Sequence, residues 1–328
     1  MEPIFNCFNP APRVPGISPK SRGAGGWNPV ARLFGSARAK AYASMRRFAA
    51  VVAIFTILPP LAGCARPAER IYDSAAEFGF RPLLLDGRGF WLAAFFKPAK
   101  SAGGDSLHVY LEGDGSPWLS RWRIAEDPTP RDPVMLRLMA SDTAPALYLG
   151  RPCYYGHARD PGCSPELWTY RRYAPEVVDS LAAGLRGFLR RHRYRRLALF
   201  GHSGGGALAL LLAPRFPETR AVATLAGNLD TAVWTAYHGY SPLTGSLNPA
   251  DTAPVGVAEY HYLGAGDQVV PARVFGPIAE RRFPGGSVIL PKYDHSCCWE
   301  DIWETILKRL GEDSRRAAVP VGAPSPIP

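Results

Sequence analysis

The feature that most constrains this chain is an apolar segment that turns abruptly into a second apolar segment through a run of glycines. Residues 196–200 (RLALF) are typical of a buried strand, and residues 207–213 (ALALLLA) are typical of a buried helix. Between them, residues 201–205 read Gly-His-Ser-Gly-Gly and fit the pattern Gly-x-Ser-x-Gly. Such a turn needs glycine because side chains would clash with the neighbouring elements. The pattern predicts that Ser203 is exposed at the carboxyl edge of a sheet.

Apolar strands and amphipathic helices alternate along the rest of the chain. A turn at Asp86-Gly87-Arg88 separates two apolar runs and predicts a hairpin. Further strands are predicted at 106–115, 145–150, 221–227, 257–267 and 287–291, and helices at 133–141, 174–191 and 298–310. Because the strands are continuous apolar runs, both faces of the sheet should be covered. The pattern predicts the α/β class, with a mainly parallel central sheet flanked by helices.

The two ends of the chain differ in composition from its middle. Residues 1–44 are rich in Pro, Gly, Arg and Ala, and we expect a non-native or disordered N-terminal extension. Residues 311–328 hold too few apolar side chains to offset the entropy of ordering, and we expect a disordered tail. Residues 45–63 are predicted to be a signal peptide, which leaves 64–310 as one domain with a sizeable core.

The segment from Met45 to Cys64 reads MRRFAAVVAIFTILPPLAGC. Two arginines precede an apolar run, and the run is shorter than the roughly 20 residues that a membrane span needs. The LAGC ending resembles the bacterial lipobox, which implies a lipid on Cys64 and a membrane anchored through it. We therefore expect a lipid-anchored protein of a bacterial cell envelope, facing the periplasm or the exterior, with Met45 as the natural start. A plain signal peptide or a short anchor is the alternative.

The net charge of +10 is unevenly distributed along the chain. Residues 1–63 hold eight Lys or Arg and a single acid, Glu2, so they contribute +7 and leave +3 for the remainder. A nearly balanced domain does not favour a nucleic-acid partner, and none is predicted. The local cluster of arginines at 190–196 is better explained by cations at the carboxyl end of a helix.

An acid and a histidine follow the serine turn, each directly after an apolar strand. Asp267 ends the segment LGAGD, and His295 lies in the segment YDHSCC. A histidine can take the proton of a serine hydroxyl, and a buried carboxylate fixes its tautomer. We expect Ser203 as nucleophile, His295 as base and Asp267 as the acid. Asp230 is the rival acid, and Asp294 is expected at the surface or behind the site.

The motifs GHSGGG, GAGDQVVP and DHSCCW, in this order, resemble those of the α/β-hydrolase superfamily over residues 105–310. The resemblance implies acyl-bond hydrolysis through an acyl-serine. It also implies an oxyanion hole made by the backbone N–H of Gly204 and one from the early loop, where Asp114 or Gly115 is the candidate. Relatives often carry His-Gly in that loop, whereas this chain carries Glu-Gly-Asp-Gly. The direction of the Asp114 side chain therefore stays open.

Four cysteines follow the predicted leader. Cys153 and Cys163 bracket a short loop that suits a local disulfide in an oxidising compartment. Cys297 and Cys298 are adjacent, and adjacent cysteines bridge each other only with strain, so a cross-bridge from one of them is also possible. Together with Asp294 and His295 they could suggest a metal site, but we predict neither a metal nor a cofactor.

The sequence predicts an exported serine hydrolase that acts on a small-molecule or lipid ester. An acyltransferase, a thioesterase or a peptidase could use the same three residues, because the pocket selects leaving group and acceptor. A non-catalytic envelope lipoprotein with this fold is the third hypothesis. Aromatic and histidine side chains that could line a pocket, or belong to the core, are Trp118, Trp122, Trp168, Trp234, Tyr237 and His238.

Overall fold

The computed structural model describes residues 67–99 and 105–317 of the 328-residue chain. The predicted N-terminal extension, the signal peptide and the proposed lipid site at Cys64 lie outside the described residues. Residues 318–328 of the predicted tail lie outside them as well.

The described part of the chain alternates between strands and helices. The helices are α1 (Pro67–Glu77), α2 (Val134–Ser141), α3 (Pro175–His192), α4 (Gly204–Leu212), α5 (Thr231–His238), α6 (Ala272–Arg282) and α7 (Glu300–Ala317). The strands are β1 (Arg81–Asp86), β2 (Trp91–Lys97), β3 (Ser106–Leu111), β4 (Trp118–Ser120), β5 (Arg123–Ile124), β6 (Ala146–Leu149), β7 (Arg196–His202), β8 (Thr219–Leu225), β9 (Ala258–Gly264) and β10 (Ser287–Leu290).

Eight of these strands form one sheet in the order β1-β2-β6-β3-β7-β8-β9-β10. The predicted hairpin is present, since β1 and β2 pair antiparallel around the turn at Gly87. Strand β2 also runs antiparallel to β6, and every other pair in this sheet is parallel. The predicted α/β class with a mainly parallel central sheet is therefore confirmed. All the parallel strands end at the same edge, where the candidate site residues follow them.

Both faces of the sheet are covered, as continuous apolar strands require. The adjacent residues Phe95 and Phe96 of β2 point to opposite faces. The ring of Phe95 contacts Tyr72 of α1, whereas the ring of Phe96 contacts Phe188 of α3. Over the centre of the sheet, Trp303 of α7 packs edge-on against side chains of β3 and β7. These contacts bring α7, and the segment before it, against the strand that carries Ser203.

The elements that the sequence pattern did not predict include α1, α6 and the small hairpin β4–β5. Helix α6 contains Pro277, and a proline in a helix interior removes a backbone donor, so the pattern does not favour a helix there. The last helix continues to Ala317, past residue 310, where the predicted domain ends and the predicted tail begins. Within the described ranges, no helix is both long and apolar enough to cross a membrane.

Candidate active site

Ser203 lies at the turn between β7 and α4, in a backbone conformation that is unusual for its residue type. Its φ of 53° and ψ of −121° fall in the region that favours glycine, at a cost on the order of 1–3 kcal/mol. The flanking glycines permit this turn. A Cβ on Gly201 would overlap the backbone of Gly205, and a Cβ on Gly205 would overlap the carbonyl oxygen of Leu111. The strained turn projects the Ser203 hydroxyl beyond the carboxyl edge of the sheet.

The structure brings Ser203, His295 and Asp267 together in one line of hydrogen bonds. His295 Nε2 lies 3.0 Å from Ser203 Oγ, and His295 Nδ1 lies 2.9 Å from Asp267 Oδ2. The three residues follow β7, β9 and β10, whose carboxyl ends share one edge of the sheet. If Nδ1 carries the proton that Asp267 accepts, then Nε2 is free to accept the proton of the serine hydroxyl.

Asp267 is a buried carboxylate with a partner on each of its two oxygens. Its Oδ1 accepts the backbone N–H groups of Val269 (2.7 Å) and Val270 (2.8 Å), and its Oδ2 faces His295. Burial raises the pKa of Asp267, but the hydrogen bond and charge of His295 together with the two N–H groups outweigh it. The pKa therefore lies below its usual value. Asp267 stays ionised at neutral pH and can stabilise an imidazolium.

His295 is held through its backbone as well as its ring. Its carbonyl oxygen accepts hydrogen bonds from His202 Nε2 (2.7 Å) and Trp299 Nε1 (3.1 Å). Burial lowers the pKa of His295, and the nearby His202 lowers it further, whereas the contact with Asp267 opposes both effects. The net shift is downward, so the imidazole is neutral at pH 7 and can act as a base.

The rival acid Asp230, and Asp294 beside the histidine, each have structural partners of their own. Asp230 is the N-cap of α5, and its Oδ1 accepts the N–H groups of Ala232 and Val233. Asp294 closes a turn, because its Oδ1 accepts the N–H groups of Ser296 and Cys297. Among these carboxylates, it is Asp267 that the structure places on His295.

The loop after β3 approaches the serine turn. The Cα of Gly113 faces the Ser203 side chain, since a Cβ there would lie 3.4 Å from that of Ser203. The N–H of Gly113 is already donated to Glu112 Oε1 (3.1 Å), so the next N–H along the loop, that of Asp114, is the better candidate donor. Gly115 has a positive φ of 69° and packs against the carbonyl oxygen of Pro128. Its glycine permits the turn that closes this loop.

The side chain of Asp114, whose direction the sequence left open, points into the protein. It lies 2.7 Å from Arg151 Nη1 and 2.9 Å from Arg172 Nη1, and it accepts the hydroxyl of Tyr173 (2.7 Å). Burial raises the pKa of Asp114, but the two arginines and the tyrosine lower it to about 2. Neither arginine was singled out from the sequence. The position of Arg151 shortly after the carboxyl end of β6 is the only signal that could have marked it.

The cysteines are paired locally. Cys153 and Cys163 form the predicted disulfide, with a Cα–Cα distance of 5.5 Å. Cys297 is bonded to Cys298, so of the two possibilities left open the adjacent pairing is the one present. Among the described residues, no group of three or more His, Cys, Asp or Glu side chains is placed to hold a metal ion.

The aromatic and histidine side chains considered as pocket candidates differ in burial and contacts. Trp168 is buried and donates its Nε1 to the carbonyl of Ala125, so it belongs to the core. Trp234 Nε1 and His238 Nε2 both contact the carbonyl of Val269, which ties α5 to the loop that carries Asp267. Trp122 is 85% exposed in the β4–β5 hairpin, the element that follows the Asp114 loop.

A mostly parallel eight-stranded sheet with a serine at the strand–helix turn is the α/β-hydrolase fold. Solved structures with this architecture include a puromycin hydrolase, with a TM-score of 0.53 and 16% identity over 75% of this chain and 41% of that one. A puromycin-hydrolysing peptidase from Mycobacterium tuberculosis gives a TM-score of 0.50 and 17% identity, over 72% of this chain and 40% of that one. This chain thus spans about two-fifths of either protein. No protein-family model and no curated protein sequence matches it.

Proposed function

We propose that this chain is a serine hydrolase that cleaves a carboxylic ester through an acyl-serine intermediate. The observation that carries the proposal is the continuous line from Asp267 Oδ2 through His295 to Ser203 Oγ, with contacts of 2.9 and 3.0 Å. A binding protein would have no need of a buried carboxylate, a neutral imidazole and a strained serine in this order.

In the proposed reaction, Ser203 Oγ attacks the substrate carbonyl carbon while His295 Nε2 takes its proton. The backbone N–H groups of Gly204 and Asp114 stabilise the negative oxygen of the tetrahedral intermediate. His295 then gives its proton to the leaving alcohol, and the acyl group remains on Ser203. Water then attacks the acyl carbon and gives a proton to His295. That proton passes to Ser203 Oγ as the bond between Oγ and the acyl carbon breaks, which releases the acid and regenerates the serine. Throughout the cycle Asp267 stabilises the imidazolium form of His295.

A peptidase is the second candidate, because both solved structures reported above are named for hydrolysis of puromycin. At 16–17% identity the likeness carries the fold alone, so the leaving group must be tested directly. Rates on an aryl ester, an aryl thioester and an aryl amide of one acyl group separate esterase, thioesterase and peptidase. We expect the ester to be cleaved fastest, and an acyl series from C2 to C12 would then define chain length.

The decisive experiment is labelling with a fluorophosphonate probe, which reacts with an activated serine. We expect wild-type protein to be labelled and Ser203→Ala to be neither labelled nor active on p-nitrophenyl acetate. Ser120→Ala is the matched control, because Ser120 is exposed on β4, and it should behave as wild type. Labelling that persists in Ser203→Ala would remove Ser203 as nucleophile. An unlabelled and inactive wild type would favour the non-catalytic lipoprotein.

We also propose that the protein is exported and held at a bacterial membrane by a lipid on Cys64. The support is the leader sequence, together with a Cys153–Cys163 disulfide that suits an oxidising compartment. Metabolic labelling with an alkynyl fatty acid, followed by mass spectrometry of the mature N-terminus, tests this proposal. An unlipidated N-terminus upstream of Cys64 would contradict it.

A further inference from the structure

The catalytic cycle described above uses the backbone of Asp114 but leaves its side chain without a role. That carboxylate lies in a buried group of charged and phenolic side chains, which we name the Asp114 cluster. Its members are Asp114, Arg151, Tyr154, Arg172 and Tyr173. The two arginines and the two tyrosines are at most 6% exposed, so the cluster is part of the protein interior.

The cluster holds one carboxylate and two guanidinium groups, so its net charge is +1. Buried ion groups rarely stabilise a fold relative to apolar residues of the same size, because desolvation offsets their attraction. Stability alone therefore gives little reason to keep such a cluster. The cluster also lies close to the candidate oxyanion hole. A Cβ on Gly204 would overlap Asp114 Oδ1. An unpaired carboxylate there would repel the developing oxyanion, and the two arginines prevent that repulsion.

The contacts of the cluster fix the backbone of the loop at both sides of the candidate N–H donor. Tyr154 donates its hydroxyl to the carbonyl oxygen of Asp114 (3.0 Å). Arg151 Nη2 donates to the carbonyl oxygen of Glu112 (3.2 Å), and Nη1 of the same guanidinium lies on the Asp114 carboxylate. A single residue, Asp114, thus offers the N–H while its own side chain and carbonyl are both anchored.

The segment that supplies two of these anchors is itself held in unusual backbone conformations. Cys153 and Tyr155 both have positive φ, 68° and 58°, although neither is glycine. Such residues cost on the order of 1–3 kcal/mol each and are found mostly at functional sites. The Cys153–Cys163 disulfide and the bond from the Tyr155 N–H to Thr129 Oγ1 (2.7 Å) hold the segment in place. Strained backbone conformations therefore lie directly beside Tyr154 and close to Arg151 in the chain.

From this geometry we propose that the Asp114 carboxylate is a positioning residue. With Arg151, Arg172 and Tyr173 on the carboxylate and Tyr154 on the carbonyl oxygen, the loop is anchored so that the N–H of Asp114 points into the oxyanion hole. This inference rests on the proposed serine hydrolase function and adds to it.

The test is Asp114→Asn, assayed on p-nitrophenyl acetate. The carboxamide loses the ion pairs, so the loop should shift and kcat should fall about 30-fold, with KM changed less than threefold. The substitution also raises the net charge of the cluster to +2. If the cluster acted through its charge alone, kcat would stay level or rise. A kcat within threefold of wild type, or a change confined to KM, overturns the proposal.

Asp114→Asn leaves two buried arginines without their partner, so the variant could fail to fold. Tyr154→Phe is the second variant, because it removes one hydroxyl from the Asp114 carbonyl and leaves every charge paired. With an unchanged melting temperature, we expect kcat to fall about fivefold, again with KM unchanged. If Asp114→Asn does not fold and Tyr154→Phe is fully active, the proposal is wrong.

The matched control is Asp179→Asn, which removes an aspartate that pairs with Arg215 at the surface. It should keep wild-type kcat and KM. Failure of the inference is distinguishable from failure of the proposed function. An active wild type, an inactive Ser203→Ala and a fully active Asp114→Asn would refute the inference alone. An inactive and unlabelled wild type would refute the function.

Discussion

Replacing Asp267 with asparagine tests whether this side chain sets the tautomer of His295. The substitution changes the contact with His295 and can keep the two contacts with the backbone. In the native site, Oδ1 of Asp267 accepts the N–H groups of Val269 and Val270, while Oδ2 faces His295 Nδ1. An asparagine can keep its carbonyl oxygen at the Oδ1 position and accept the same two N–H groups. Its NH₂ then occupies the Oδ2 position, where it donates to Nδ1 instead of accepting from it.

The size of the effect follows from the tautomer. Once Nδ1 must accept a hydrogen bond, the imidazole proton moves to Nε2, which lies 3.0 Å from Ser203 Oγ. The serine proton then has no acceptor. In a serine–histidine–aspartate site this exchange costs about 10⁴-fold in kcat, which corresponds to about 5 kcal/mol of transition-state stabilisation. We expect that loss in Asp267→Asn, with a melting temperature within about 2 °C of wild type.

The assay is the steady-state rate on p-nitrophenyl acetate together with a thermal melt. Asp230→Asn is the matched control, because Asp230 is the rival acid that follows β8 at this edge and it caps α5. Asparagine caps a helix about as well as aspartate, so this variant should keep its activity and its stability.

Two outcomes would refute the reasoning. If Asp267→Asn kept more than a tenth of wild-type activity, His295 would not depend on Asp267 for its tautomer. If Asp230→Asn lost activity while Asp267→Asn kept it, the roles of the two carboxylates would be reversed.

Three further predictions concern pH and stability. Burial lowers the pKa of His295, and only the neutral imidazole can accept a proton. In a pH–rate profile, kcat/KM should therefore rise with pH around a midpoint below about 6.5. A midpoint above 7 would contradict the inferred shift. Replacing Cys153 and Cys163 with serine should lower the free energy of unfolding by about 3 kcal/mol in urea titrations, since their disulfide closes a short loop. An unchanged free energy of unfolding would contradict this prediction. Gly205→Ala should leave no soluble, active protein, because its Cβ would overlap a carbonyl of β3, whereas unchanged expression and activity would refute that packing.

The sequence pattern predicted the central sheet and the three site residues for a physical reason. Apolar strands of a parallel sheet are covered on both faces, so they stand out as continuous runs, and their carboxyl ends must share one edge. Ser203, Asp267 and His295 each follow such a run and were therefore expected near one another. The structure places all three within hydrogen-bond reach, while their catalytic roles remain a prediction for the assays above.

The surroundings of the site could not be predicted in the same way. Arg151 and Arg172 reach Asp114 from loops separated from it by about 40 and 60 residues, and no local pattern records that approach. Helix α6 was not predicted, because Pro277 disfavours a helix. In the structure, packing against β9 and β10 overrides that local preference. Long-range contacts of single side chains are decided by the fold as a whole and leave no periodic trace in the chain.

The position of His295 after the last strand of the sheet has a consequence for shortened chains. A chain that ends at Leu290 contains Ser203 and Asp267 but lacks His295, the residue that we propose as the base. His295 follows that point, and its backbone carbonyl accepts hydrogen bonds from His202 and from Trp299, which lies in the segment that leads into the final helix. We therefore expect a chain broken before His295 to be inactive on p-nitrophenyl acetate.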